Sequence, residues 1–162
     1  MPTTKQTIKD TFYNKIENDE AFFEYFNLPD NEAVELAEKR ADNLLNEAVA
    51  YFKVKAKNSN LDFTLDEDGN FKADFTDLEI DILAEIMNFL LFKRDYNRLK
   101  NLDMNFTPKD LQVFSPSANR KTFLDMYQAL KHEVSAMIKD YCDRDKNNKL
   151  ITIDYSSYSD AM

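Results

Sequence analysis

A single glycine, Gly69, in 162 residues constrains this chain more than any motif does. Glycine enters the left-handed backbone region more freely than any other residue, so it supplies most tight turns and helix C-caps. A chain with one glycine and only four prolines builds few elements and long ones. All-β and doubly wound folds need many more turns, so the expected class is mostly α. With 43% hydrophobic residues the chain can bury the core of one ordinary domain.

Periodicity places the elements. Residues 5–26 read as one broken helix or two short ones, with Ile8, Phe12 and Ile16 at helical spacing and a second cluster at Phe22, Phe23 and Phe26. Pro29 interrupts, and Asp30 or Asn31 can cap a helix over about 31–57. Its inner stripe is Val34, Ala37, Ala41, Leu44, Leu45, Ala48 and Phe52. The period changes at 61–75: Leu61, Phe63 and Leu65, then Phe71, Ala73 and Phe75, alternate with polar residues about a DEDGN turn. That pattern predicts a β-hairpin.

Thr76 and Glu79 have the spacing of a capping box and open a helix running to about Leu102. Ile80, Ile82, Leu83, Ile86, Met87 and Phe89 to Phe92 cover more than one of its faces, so it should be the central helix, packed on several sides. Its second half, KRDYNRLK at 93–100, is basic and must emerge from the core. Thr107-Pro108 and Ser115-Pro116 each set a hydroxyl before a proline, marking two helix starts. The first opens a short turn, about 107–113. The second opens a long amphipathic helix, about 116–142, with Phe123, Met126, Tyr127, Leu130, Val134, Met137, Ile138 and Tyr141 on one face.

Asp110, Ser115 and Asn119 read as turn and cap makers. Ile86, Met87, Leu90, Phe114, Phe123, Tyr127 and Leu130 are the expected core. The architecture is thus a small helical bundle with long central and C-terminal helices: a single helical domain over 1–143, with the hairpin 61–75 inserted. An extended C-terminal tail, 144–162, follows; within it KLITIDY at 149–155 has the alternation of a strand.

Chemistry is hard to place on this chain. His132 is the only histidine, and Cys142, the only cysteine, lies ten residues further along the same helix. A nucleophile–base pair needs side chains within hydrogen-bond reach, and no second His or Cys completes a zinc site. One glycine makes neither a phosphate-binding nor a dinucleotide loop. The 30 acidic residues mostly alternate with Lys and Arg, as on solvated helix faces. No enzyme and no cofactor are expected.

Two segments invite a calcium reading. Around Gly69 the register would make Thr64 the first ligand and Phe75 the last, and neither fits. At 143–154, Asp143, Asp145 and Asn147 fit the first three ligand places and Asp154 the last. Against this, Asn148 stands where glycine is required, Asp154 is shorter than the usual bidentate glutamate, and no amphipathic helix follows. A polar turn leading into a strand accounts for the same residues.

The formal charge of −9 opposes wrapping by nucleic acid, which requires clustered cations. An acidic surface can repel DNA, meet a basic partner or keep a protein in solution. The lone cysteine fits a reducing cytoplasm. No signal peptide is expected, and IMNFLLF at 86–92 is too short to span a bilayer.

Three blocks share their order and phrasing with one family. They are AFFEYFNLPDNEAVELAEKRADNLLNEAVAYF (21–52), LEIDILAEIMNFLLFKRDY (78–96) and DLQVFSPSANRKTFLDMYQALKHEV (110–134). Together they cover roughly half the chain, and it resembles the head–tail connector, adaptor or head-completion proteins of tailed bacteriophages. The resemblance implies a helical structural subunit of the virion, made in the host cytoplasm. Copies would form a ring, possibly of twelve, at the head–tail interface, with no active site, cofactor or membrane contact. The ring would join the portal protein to a neck or tail-completion protein and extend the channel through which DNA passes without specific binding. Phe63 and Phe71 in the hairpin, and Leu150, Ile151, Ile153 and Tyr155 in the tail strand, are then candidate contacts with neighbouring subunits or portal, against ordinary intrachain packing. The other reading is an acidic intracellular helical binding module that occupies a basic surface on a partner, as an inhibitor or nucleic-acid mimic.

Overall fold

The computed structural model describes residues 2–16, 29–57, 59, 61–105, 117–144 and 151, with side chains for all of these except 30, 99–105 and 117–120. Four helices account for most of them: α1 (Lys5–Lys15), α2 (Asp30–Lys55), α3 (Asp77–Asn105) and α4 (Ser117–Cys142). Each starts and ends for a local reason. The Thr4 hydroxyl accepts from the Thr7 amide at 3.2 Å and caps α1. Pro29 precedes α2, whose last turn carries Lys53 and Lys55, where the helix dipole favours cations. Asp77 and Glu79 lie in the first turn of α3, the end that favours anions.

α3 is the axis of the fold and packs against each of the other three helices. That explains its apolar residues on several faces: Ile82, Leu83, Ile86, Met87, Phe89, Leu90 and Leu91 are all buried. α2 runs antiparallel to it, since Tyr51 meets Phe89 with ring centroids 5.8 Å apart and Glu47 pairs with Arg94 at 2.7 Å. α4 is antiparallel as well, with Tyr141 near Glu79 and Phe123 near Phe92. Ile8, Phe12 and Ile16 of the α1 segment join the same buried cluster.

Segment 61–75 departs from the expected hairpin. It reverses at the turn holding Gly69, whose φ of +81° is where glycine is favoured, and Leu65 and Phe71 make one isolated antiparallel bridge. No strand extends from that bridge among the described residues. Instead, Asp62 Oδ1 accepts from the Thr64 amide at 2.9 Å and bends the chain. On the inner edge Lys72 N–H still donates to the Thr64 carbonyl at 2.9 Å, but the reciprocal rung is lost because the Thr64 amide is the one Asp62 takes. On the outer edge Phe71 N–H donates to the Thr3 carbonyl at 3.1 Å and Phe75 N–H to Thr3 Oγ1 at 2.7 Å. The segment curls, and Phe63, Phe71 and Phe75 converge on one another with centroids 4.9–6.0 Å apart. Thr3→Val is expected to cost about 1–3 kcal/mol in urea unfolding, because the buried Phe75 amide loses its acceptor; Thr3→Ser should be close to neutral.

Two lysines of α1 tie it to its neighbours. Lys9 is buried and lies 2.6 Å from Glu38 and 3.2 Å from Asp42, while Lys15 lies 2.7 Å from Asp81 and 3.0 Å from Glu85. Burial alone would lower both ammonium pKa values; hydrogen bonds to these carboxylates outweigh it and hold both above 10.5. A raised folded-state value means stability that is complete below the unfolded pKa and lost as pH climbs through the folded one. Stability should therefore stay level near neutrality and fall above about pH 10. Lys9→Met and Lys15→Met together should flatten part of that fall, as followed by thermal melting across the alkaline range.

Two stripes differ from expectation. On α2 the buried row begins at Ala33, and Val34 is 63% exposed. On α4, Val134 and Ile138 are buried and Met126 is exposed, while Phe123, Tyr127 and Leu130 are only half-buried. The last three therefore belong to the edge of the core. α4 leaves the core before its first half is covered.

Candidate interaction surface

That uncovered half of α4 has a partner in the second half of α3. Beyond Leu91 no α3 side chain among the described residues is buried, and none on α4 before Val134 is. The two helices run out together as an antiparallel arm. Stacked rings hold it: Phe92 on Phe123 at 5.0 Å and 15°, Tyr96 on Tyr127 at 4.9 Å and 10°, and Phe89 on Tyr127 at 5.7 Å and 28°. Each such pair contributes about 0.5–1.5 kcal/mol beyond its buried area.

Two helices alone bury only their facing stripes, and the rest of the arm's apolar surface stays open. Leu124 is 36% and Met126 48% exposed, beside the half-buried Tyr127 and Leu130. The arm is also basic: its two helical stretches, 92–105 and 117–133, carry seven Lys or Arg and four Asp or Glu, against 14 and 26 in the remainder of the chain.

The other end of α3 has the opposite sign. Residues 61–81 hold eight Asp or Glu and one cation, Lys72. Asp62, Glu67, Asp68, Asp74 and Asp77 are exposed there, and so are Leu65 and Leu78, each at 40%. An α-helix rises 1.5 Å per residue, so the 29 residues of α3 separate the two ends by about 43 Å.

A buried polar junction secures the acidic end. Glu79 Oε2 accepts from the Thr76 amide at 2.7 Å and from the Thr76 hydroxyl at 3.0 Å, while the Glu79 amide donates to Thr76 Oγ1 at 3.4 Å. This is the capping box anticipated from the sequence. Its second oxygen makes a link that no local pattern signals: the Tyr141 hydroxyl donates to Glu79 Oε1 at 2.6 Å, joining the end of α4 to the start of α3. Burial, and then this hydrogen bond, push Tyr141 up to about 12. A phenol so reluctant to ionise, on a carboxylate already receiving two other bonds, is a clamp.

The remaining anticipated residues are dispersed. His132 is exposed on α4. Burial, followed by the charge of Asp143, pushes the half-buried Cys142 thiol up, away from the thiolate form a nucleophile needs. Phe71 is buried, and Phe63 is half-buried among Phe52, Phe71 and Phe75 with Lys53 Nζ 5.2 Å from its ring centre. Both rings face this chain's own interior. Ile151 is exposed, its amide donating to the Asp143 carbonyl at 2.7 Å.

Asp143 is exposed at the end of α4, while Asp145, Asn147 and Asp154 lie outside the described residues, as do Leu150, Ile153, Tyr155, Asp110, Phe114 and Ser115. Asn119 falls within the first turn of α4. Among the described residues no group of three or more His, Cys, Asp or Glu is placed to hold a metal ion, and no helix is long and apolar enough to cross a membrane. The surface features missed from the sequence are Leu124, Met126, Leu65 and Leu78; spacing assigned Met126 and Leu65 to apolar faces and gave no measure of how far those faces are covered. No protein-family profile, curated protein or solved structure matches this chain.

Proposed function

We propose that this chain is a structural subunit of the neck of a tailed bacteriophage. Copies form a ring at the head–tail interface, join the portal to a neck or tail-completion protein, and extend the DNA channel. The observation that carries the reading is the two-helix arm, a projection with an apolar face that one copy leaves half-covered. Helices set at fixed angles around α3 suit a part whose task is to hold surfaces in position. The order of the three sequence blocks, a central helix followed by a long final one, supports the same reading. Carboxylates facing a lumen would repel phosphates and let DNA slide.

The test is assembly. Purified chain mixed with portal rings should give a complex heavier by several copies, read by native mass spectrometry, and deletion of its gene should leave DNA-filled heads without tails. Tailed, infectious particles made without this polypeptide would end the proposal. The acidic end at 61–81 favours one other reading, an acidic module that occupies a basic partner surface. That reading expects the chain to displace DNA from a DNA-binding enzyme in a mobility-shift assay, which a neck subunit would not do.

A further inference from the structure

We infer that copies of this chain join head to tail, the basic arm of one seated on the acidic end of the next. The inference rests on the neck reading in taking the partner to be a second copy; the surfaces themselves come from charge and exposure. The arm, 92–105 and 117–133, and residues 61–81 are opposite in sign and lie toward opposite ends of α3, with about 18 Å of helix between Asp81 and Lys93 alone. Screening at physiological salt acts over about 8 Å. The two ends therefore cannot neutralise each other within one chain, whereas end-to-end contact between copies brings them together.

Each end carries what the other lacks. Arg98 on α3 and Lys121 on α4 are exposed on the arm, Lys121 lying close in sequence to the exposed Leu124 and Met126. Glu67, Asp68 and Asp77 are exposed at the acidic end, alongside Leu65 and Leu78. Among the described residues Arg98 makes an exposed contact with Asp95 at 3.5 Å on its own helix, which a neighbouring carboxylate can replace at little cost. Apolar side chains flanked by complementary charge make up a specific contact: the charges steer and set register, and the apolar groups supply affinity. Because the two patches differ, the contact is heterologous. Repeated, it closes into a ring or propagates as a filament, according to the rotation between copies.

Paired charge reversals test it on the full chain. One variant carries Arg98→Glu and Lys121→Glu; the other carries Glu67→Lys and Asp68→Lys. Wild type should sediment as an oligomer at low salt and shift toward monomer at high salt. Each variant alone should be monomeric, with far-ultraviolet dichroism unchanged. An equimolar mixture should recover the oligomer, since each reversed end then meets a reversed complement and each native end a native one.

Wild type that stays monomeric at every salt concentration overturns the inference, as does a mixture of folded variants that does not associate. Single swaps, Lys121→Glu mixed with Glu67→Lys, repeat the test if either double variant loses its dichroism. An oligomer indifferent to the reversals overturns this contact and leaves the neck reading standing. Rescue by mixing, together with no binding to portal, upholds the contact and ends the neck reading.

Discussion

Phe52→Ala is expected to lower the unfolding free energy by about 3–5 kcal/mol, the range for emptying a buried aromatic site. Phe52 is fully buried on α2 and meets Phe63 and Tyr141, each with ring centroids 5.7 Å apart and near edge-on. One ring thus joins α2, the 61–75 loop and α4. Its neighbours are held independently: the loop by Thr3, and Tyr141 by its bond to Glu79. They cannot move in to fill the space, so the cavity term adds to the lost transfer energy. Val54→Ala, two residues along the same helix at an exposed position, should change stability by no more than about 0.5 kcal/mol. Urea unfolding of the two variants decides the matter, and a loss below about 1 kcal/mol for Phe52→Ala would mean the ring is no junction.

The second large effect is expected from Glu79→Ala, at about 3 kcal/mol. Losing the cap contributes about 1 kcal/mol, and losing a charged acceptor for the Tyr141 hydroxyl about 1.5–3 kcal/mol. Tyr141→Phe removes only the second of these, so the double variant should cost less than the two singles added together. A separate readout isolates the bond. In Glu79→Ala the ionisation of Tyr141, normally pushed up to about 12, should fall part of the way back toward the ordinary tyrosine value, burial still holding it up. Ultraviolet titration of tyrosinate, with Tyr141→Phe as the blank, measures that shift. Additive stabilities and an unmoved titration would show that the 2.6 Å contact has no energetic role.

The residues behind these two predictions differ in how visible they were beforehand. Phe52 was legible: it falls on the Ala/Leu row of α2, and that row is buried apart from its first member, Val34, which gives way to Ala33. Half of the Glu79 junction was legible too, because a capping box is written in residues three apart. Its other half, Tyr141, lies 62 residues away, and periodicity carries no information about which hydroxyl meets which carboxylate.

The same division runs through the whole chain. Helix limits depend on 3.6-residue spacing, capping groups and proline, all local. The expected spans 31–57, 76–102 and 116–142 accordingly meet Asp30–Lys55, Asp77–Asn105 and Ser117–Cys142. Ile86, Met87 and Leu90 could be assigned to the core because a helix apolar on several faces must lie inside. The hairpin could not be judged this way. Phe63, Phe71 and Phe75 alternate as strand residues do, but the Thr64 amide that the next rung needs goes to Asp62 Oδ1. Thr3, from before α1, takes the Phe71 and Phe75 amides on the outer edge.

Spacing and composition alone locate the helices, mark α3 as the central one and make the overall charge negative. That α3 and α4 run past the core as an arm, leaving Phe123, Tyr127 and Leu130 half-covered, is visible only once the helices are packed. Only that packing set the first half of α4 alongside the basic end of α3. Spacing tells which side of a helix is apolar; how much of that side is covered depends on where the neighbouring helices stop.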